Sequence, residues 1–449
     1  MSSITVTVSE LTSEGTGLAF YNGKKVFVPG VFPGESAVIE PLVEKPGYIS
    51  GKLLKITDKS PDRVPDFCAM RCGGCSFTGL SYEAELGFKS VFLLHLYEDL
   101  PGFSRELFMG ITGMPDPFRY RNKAVYMGER DSDGRFVLGL YERDSHRIAD
   151  IPDCRLEPVW MNRIRNGLRD LINGPDSDPG MAEFAGNFRY LFLRGQANGD
   201  SEASDTGRCA VLVLRQGFVP DPVLEYLRTA GISNIAVNRN SAPGNRIFGE
   251  EFQTLRGDPY AVMSLYDRHF LVRPESFFQI NTGVTEKLYD KAIELLDPAP
   301  DSVIADLYSG IGTISFRLAG RVRMVYGIEA VPEAVRDAEN NSRKFGIGNV
   351  RFYAGLVEEV LPKLVNGGAK FDGVILDPAR KGLEESVINT LAALKVPGIV
   401  YISCNPKTQK RDVELFQKLG YRMECLYGFD MFPHTCHVET VVLLSRDKS

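Results

Sequence analysis

The chain has 449 residues, 43% of them hydrophobic, and a formal net charge of −6, enough for two or three cored domains. That charge excludes indiscriminate nucleic-acid binding through a uniformly basic surface and leaves room for a local basic cleft. No apolar run is long enough to span a membrane and no export segment is read at Met1-Ser2-Ser3-Ile4, so a soluble, cytoplasmic, monomeric protein is expected.

In chain order, residues 5–8, 25–28, 35–40 and 51–56 are short β-type runs, punctuated by Gly15, Gly17, Gly23, Pro29-Gly30 and Pro33-Gly34. Short strands with regular turn signals predict a small OB-like barrel over residues 1–58. Cys68, Cys72 and Cys75 follow, with Cys154 further along in Ile151-Pro152-Asp153-Cys154. In a chain read as cytoplasmic this spacing favours metal ligation over disulfides. Four thiolates suit zinc or an iron–sulfur cluster alike. The spacing of the first three is also that of radical S-adenosylmethionine enzymes, which usually place an aromatic where this chain has Gly74. Cys209 and Cys425 read as core residues, and Cys436 has no assigned role.

Residues 59–265 read as a central mixed α+β domain. The run Phe118-Arg119-Tyr120-Arg121-Asn122-Lys123 interleaves cations and aromatics, as do residues 139–147. That suits phosphate neutralisation with base stacking; a charged strand on an aromatic core would look the same. Residues 173–178 and 196–207 read as loops.

Over 266–449 strands and helices alternate. A strand from 303 runs into Tyr308-Ser309-Gly310-Ile311-Gly312, and Thr313 opens a helix. A strand at 323–328 ends in Glu329, and one at 371–376 ends in Asp377-Pro378-Ala379-Arg380. Another at 398–403 ends in Cys404, with a final pair at 421–429 and 438–445. The alternation predicts an α/β, mainly parallel sheet with helices on both faces. Glycines after the first strand admit a ligand at the binding edge, and Glu329 is placed for ribose hydroxyls. Ser315, where a dinucleotide fingerprint has its last glycine, favours a Rossmann-like methyltransferase loop.

Cys404 at such a strand end is a small buried residue or a nucleophile. Paired with Glu439 it fits one chemistry well. Pyrimidine C5 is too weak a nucleophile to take a methyl group from a sulfonium unaided; a thiolate adding at C6 makes C5 carbanion-like, and a base must then remove the C5 proton.

At this point the sequence resembles the RNA uracil-5-methyltransferase family over nearly its whole length. Phe277-Phe278-Gln279-Ile280-Asn281, Asp377-Pro378-Ala379-Arg380, Ser403-Cys404-Asn405-Pro406 and His437-Val438-Glu439 are similar to its motifs, with Ala379 in place of a usual Pro and Leu356 in place of a usual polar residue. The resemblance implies Cys404 as nucleophile and Glu439 as base. It further implies S-adenosylmethionine held by Gln279, Tyr308, Gly310, Thr313, Glu329 and Asp377, and a target base against Phe277 and Asp377. Residues 15–20 and 28–35 resemble the TRAM domain, and the four cysteines, Cys68, Cys72, Cys75 and Cys154, resemble the ligands of a [4Fe-4S] cluster. The barrel points to the 23S ribosomal RNA branch, with transfer RNA (uracil 54) as the alternative. A radical enzyme, a cytosine-C5 enzyme, an exocyclic-amine methyltransferase and a non-enzymatic RNA-binding protein fit fewer of these features.

Overall fold

Strict alternation of covered and exposed residues closes the amino-terminal segment on itself. In the computed structural model, which describes residues 2–70, 72–143, 145–174, 179–197 and 207–446, five strands form a closed barrel. Their order is Ile4–Leu11, Gly17–Tyr21, Lys24–Val28, Tyr48–Asp58 and Ser36–Glu44. Val6, Val8, Val26 and Val28 point inward because residues two apart share a face. Asn22 and Gly23 both have positive φ, 49° and 76°, as a two-residue hairpin turn requires. The loops expected at 173–178 and 196–207 lie largely outside the described residues.

The central segment forms a seven-stranded sheet. Its order is Glu251–Arg256, Asn234–Arg239, Cys209–Leu214, Phe188–Arg194, Lys123–Arg130, Phe136–Tyr141 and Ile148–Ala149. One face is covered by the helices Val159–Ile172, Pro179–Asn187 and Asp221–Thr229, whose Trp160, Ile164, Leu168 and Val223 share a core with Leu191, Leu193 and Leu212. On the other face Tyr190, Phe192, Val211 and Val213 join the core of the carboxy-terminal segment. The hairpin Ala261–Leu265 with Arg268–Val272 straddles the boundary expected at 265, and the apolar core is continuous across it.

The carboxy-terminal sheet runs Val350–Ala354, Met324–Glu329, Val303–Leu307, Gly373–Leu376, Gly398–Ser403, Glu439–Ser445, Arg422–Phe429 and Phe108–Thr112. The first five strands are parallel, and Glu439–Ser445 is antiparallel to both of its neighbours. Two helices here were not anticipated. Thr282–Leu296 is capped by Asn281, whose side chain accepts from Val284 N–H at 3.3 Å. Val357–Asn366 contains Pro362, a residue that reads as a helix breaker. The last edge strand also comes from outside the segment, since Phe108–Thr112 belongs to the central region in sequence. Among the described residues no helix is long and apolar enough to cross a membrane.

Candidate active site

The binding edge is built by the carboxyl ends of the parallel strands. After Val303–Leu307 the chain turns at Tyr308, φ 67°, and Tyr308 and Ser309 both donate to Ile328 O, at 2.9 and 3.0 Å. Gly312, φ 84°, is required twice over: its backbone is left-handed, and a Cβ would lie 2.6 Å from the Phe352 ring. Glu329 then locks the glycine loop. One carboxylate oxygen accepts from Gly310 N–H at 2.9 Å and the other from Val331 N–H at 2.8 Å. Each oxygen keeps a lone pair for a further donor.

All nine catalytic, cofactor-binding and substrate residues expected from the sequence line one cavity of about 500 Å³, a volume within the range of small-molecule sites. They are Phe277, Gln279, Tyr308, Gly310, Thr313, Glu329, Asp377, Cys404 and Glu439. Phe277 is 63% exposed at the wall, while Phe278 is buried in the core. Leu356, Glu358, Arg380, Lys381 and Glu384 line the same space. Two other hollows, about 340 and 370 Å³, flank the helix Tyr82–Tyr97 and lack a comparable set of buried acids.

The charges are unusual. Burial, then the Glu439 and Asp377 carboxylates, push the Cys404 thiol up to about 12 against the pull of Arg380. Glu439 is 2% exposed with Oε2 unpartnered, and burial and Asp377 push it up to about 8, again opposed by Arg380. Asp377 rises to about 7 through burial and Asp306, opposed by a hydrogen bond from Gln279. Asp306 rises to about 7 through burial, although Ser315 Oγ donates to it at 2.5 Å. Acids held back from ionising in this way gain from a bound cation, which favours their charged forms.

Three contributors were not assigned from the sequence. Arg380 ends the quoted motif Asp377-Pro378-Ala379-Arg380, and Asp306 lies in the strand before the glycine loop, each without a role there. Asn122 sits in the run that interleaves cations and aromatics and orders the cavity wall: its side chain donates to Gln279 O at 2.8 Å and its backbone N–H to Ile280 O at 3.0 Å. Other members of that run serve the cysteine region. Arg119 pairs with Asp153 at 2.7 Å and donates to Cys154 O at 2.7 Å, while half-buried Arg121 interacts with Cys154.

The cysteine region is well anchored. Gly73 N–H donates to Tyr141 O at 3.1 Å, Arg143 to Cys75 O at 2.7 Å, and Cys154 N–H to Asn162 Oδ1 at 2.7 Å. Burial pushes the thiols of Cys72, Cys75 and Cys154 up, and Cys75 also feels Cys154, Cys72 and Cys68. The Arg121 cation opposes that rise at all three. No set of three or more His, Cys, Asp or Glu side chains among the described residues is drawn together at metal-holding geometry.

A family model described as tRNA (Uracil-5-)-methyltransferase matches residues 260–447. An uncharacterized RNA methyltransferase of Halalkalibacterium halodurans is 34% identical across 98% of this chain and 96% of its own length. A similarly described protein of Staphylococcus aureus is 34% identical, over 98% and 97%. The crystal structure of Pyrococcus abyssi tRNA (uracil-54, C5)-methyltransferase with S-adenosyl-L-homocysteine superposes with a TM-score of 0.76 at 26% identity, over 98% of this chain and 100% of that one. Together with the sheet and its cavity, these likenesses define an S-adenosylmethionine-dependent RNA methyltransferase. The chain belongs to the RNA uracil-5-methyltransferase family.

Proposed function

We propose that the protein methylates C5 of one uridine in 23S ribosomal RNA through a covalent adduct with Cys404. The observation that carries this reading is the meeting of Cys404, Glu439, Asp377 and Gln279 in a single cavity whose wall presents the exposed ring of Phe277. Arg380 opposes the burial that holds the Cys404 thiol protonated; once that proton is lost to solvent, the thiolate forms a bond to C6, and the C5–C6 electron pair moves into an enolate. C5 takes the methyl group as the donor's sulfur–methyl bond breaks, and the electron pair stays on sulfur. Glu439 removes the C5 proton, the C5–C6 double bond re-forms and the thiolate leaves. Phe277 offers a stacking face for an unstacked base. Gln279 and Asp377 hold the base, and Glu329 the cofactor ribose.

We further propose that the amino-terminal barrel is a TRAM-type RNA-binding module and that Cys68, Cys72, Cys75 and Cys154 hold a four-iron cluster. The supporting observation is that Cys75 lies within electrostatic reach of Cys68, Cys72, Cys154 and the Arg121 cation. With four protein ligands, such a group would organise the RNA-facing surface and leave methyl transfer to the cavity.

The full-length likeness to the Pyrococcus abyssi enzyme favours a second reading, uridine 54 of transfer RNA, because a barrel-bearing architecture is compatible with that substrate too. The deciding experiment incubates the purified protein and S-adenosylmethionine with unmodified 23S ribosomal RNA and with transfer RNA, then maps 5-methyluridine by nuclease digestion and mass spectrometry. Methylation of neither RNA, with a cofactor-competent protein, overturns the proposal.

A further inference from the structure

The loop 430–438 links the strand Arg422–Phe429 to the strand that opens with Glu439, so its shape sets where that carboxyl stands. Its least ordinary residue is His434, which holds a left-handed backbone, φ 65°, that a bulky side chain seldom adopts. The surroundings enforce it. His434 O accepts from Ser76 N–H at 2.9 Å and Phe77 N–H at 3.3 Å, and His434 N–H donates to Glu85 Oε1 at 2.8 Å. The ring is 3% exposed, stacked on Phe118 at 4.7 Å and lying 4.6 Å from Phe67. Neither ring nitrogen has a hydrogen-bond partner, so the ring is held by its faces, with Glu85 Oε2 3.4 Å from Nδ1.

The rest of the loop is gripped from the same side. Wholly buried Lys89 bridges Glu85 and Asp430, at 2.6 Å to each, and Tyr82 OH donates to Asp430 at 2.7 Å. Tyr120 OH donates to Pro433 O at 3.1 Å. Phe67 and Ser76-Phe77 are the residues immediately flanking the Cys68–Cys75 segment. The cysteine segment and the helix Tyr82–Tyr97 therefore meet on the one loop that delivers Glu439. None of these contacts belongs to the cavity that takes the cofactor.

We infer that His434 is a positioning residue for proton removal at C5: its ring, clamped by the segments flanking the thiols, fixes the loop that aims the Glu439 carboxyl. The inference rests on the reading of Glu439 as the base. Removing the ring should slow proton removal after methyl transfer, so the enzyme stalls as a methylated covalent RNA adduct while cofactor binding is spared.

The test uses the full chain and its RNA substrate with His434→Gly, which keeps the left-handed backbone and deletes the ring, and Phe118→Leu, which removes the stacking face. Glu439→Gln runs in parallel. Adduct is read on denaturing gels, S-adenosylmethionine affinity by calorimetry, and folding by thermal melting. In at least one folded variant we expect affinity within about twofold of the parent, kcat down by about tenfold or more with little change in KM, and accumulated adduct. Parent-like turnover without adduct in every folded variant, while Glu439→Gln does trap RNA, overturns the role of His434. Cofactor affinity falling in step with kcat in both variants overturns it as well, since that is a general structural loss. No adduct in Glu439→Gln removes the base reading and this inference with it.

Discussion

Cys404 and Glu439 flank the last pair of an antiparallel ladder: Ser403 pairs with Thr440, Cys404 follows Ser403 and Glu439 precedes Thr440. The end of that ladder brings the pair, a thiol and a carboxyl 35 positions apart in sequence, to the wall of one cavity.

That pairing separates two steps. Cys404→Ala should lower methyl transfer by about 10³-fold or more, the scale on which loss of a nucleophile acts, while RNA binding persists. Glu439→Gln should methylate C5 once and then hold the RNA covalently. Methyl incorporation and denaturing gels distinguish the two, and near-normal turnover in Cys404→Ala would remove covalent catalysis.

The pH dependence follows from Glu439, pushed up to about 8. A base must be deprotonated, so kcat/KM should rise as pH approaches 8. Arg380 pulls both Glu439 and Cys404 down. Arg380→Ala should therefore move this limb to higher pH, and pH–rate profiles of the two enzymes check the direction.

Stability should run the other way. Asp306, Asp377 and Glu439 titrate at about 7, 7 and 8 in the folded chain, above the ordinary carboxyl values of 3.8 and 4.5. Between those limits these three groups bind more protons in the folded state than in the unfolded one, so their contribution to the stability of the ligand-free protein is full below about 4 and is lost as pH rises through 7 to 8. Asp377→Asn should flatten that fall in urea titrations, and S-adenosylmethionine should offset it.

Glu329 holds Gly310 and Val331, and the proposed function gives it a second duty, presenting oxygens to the cofactor ribose. Glu329→Ala should weaken cofactor binding by about 1–3 kcal/mol, the cost of leaving such groups unsatisfied. Unchanged affinity by calorimetry would argue against the ribose contact.

For the cysteine region, protein purified anaerobically should contain iron and sulfide in near-equal amounts, and Cys154→Ser should lose both together with solubility. Stoichiometric zinc would replace the cluster assignment and leave the methyltransferase unaffected. Release of 5′-deoxyadenosine on reduction would revive the radical reading.

Much of the site was legible because its residues fall at strand ends that the helix–strand alternation marks. Tyr308, Glu329, Asp377 and Cys404 each close or follow a hydrophobic run, and a shared edge follows from parallel pairing. The helix Val357–Asn366 was not legible, since Pro362 masks its period. Asn122 was not legible for a different reason: its neighbours advertise charge, while its own side chain holds the backbone of Gln279.

By itself the sequence determined the strand–helix alternation of the carboxy-terminal segment, the small barrel, and which chemically able residues stand at the open ends of strands, because side-chain periodicity and turn chemistry are local. Tertiary structure alone decided that Phe108–Thr112 completes the distant sheet, that Arg119 serves Cys154, and that His434 is clamped by residues beside the thiols. It also decided the protonation of the site. Long-range pairing and desolvation depend on segments hundreds of residues apart, and no local pattern encodes how deeply Asp306, Asp377 and Glu439 are withdrawn from water.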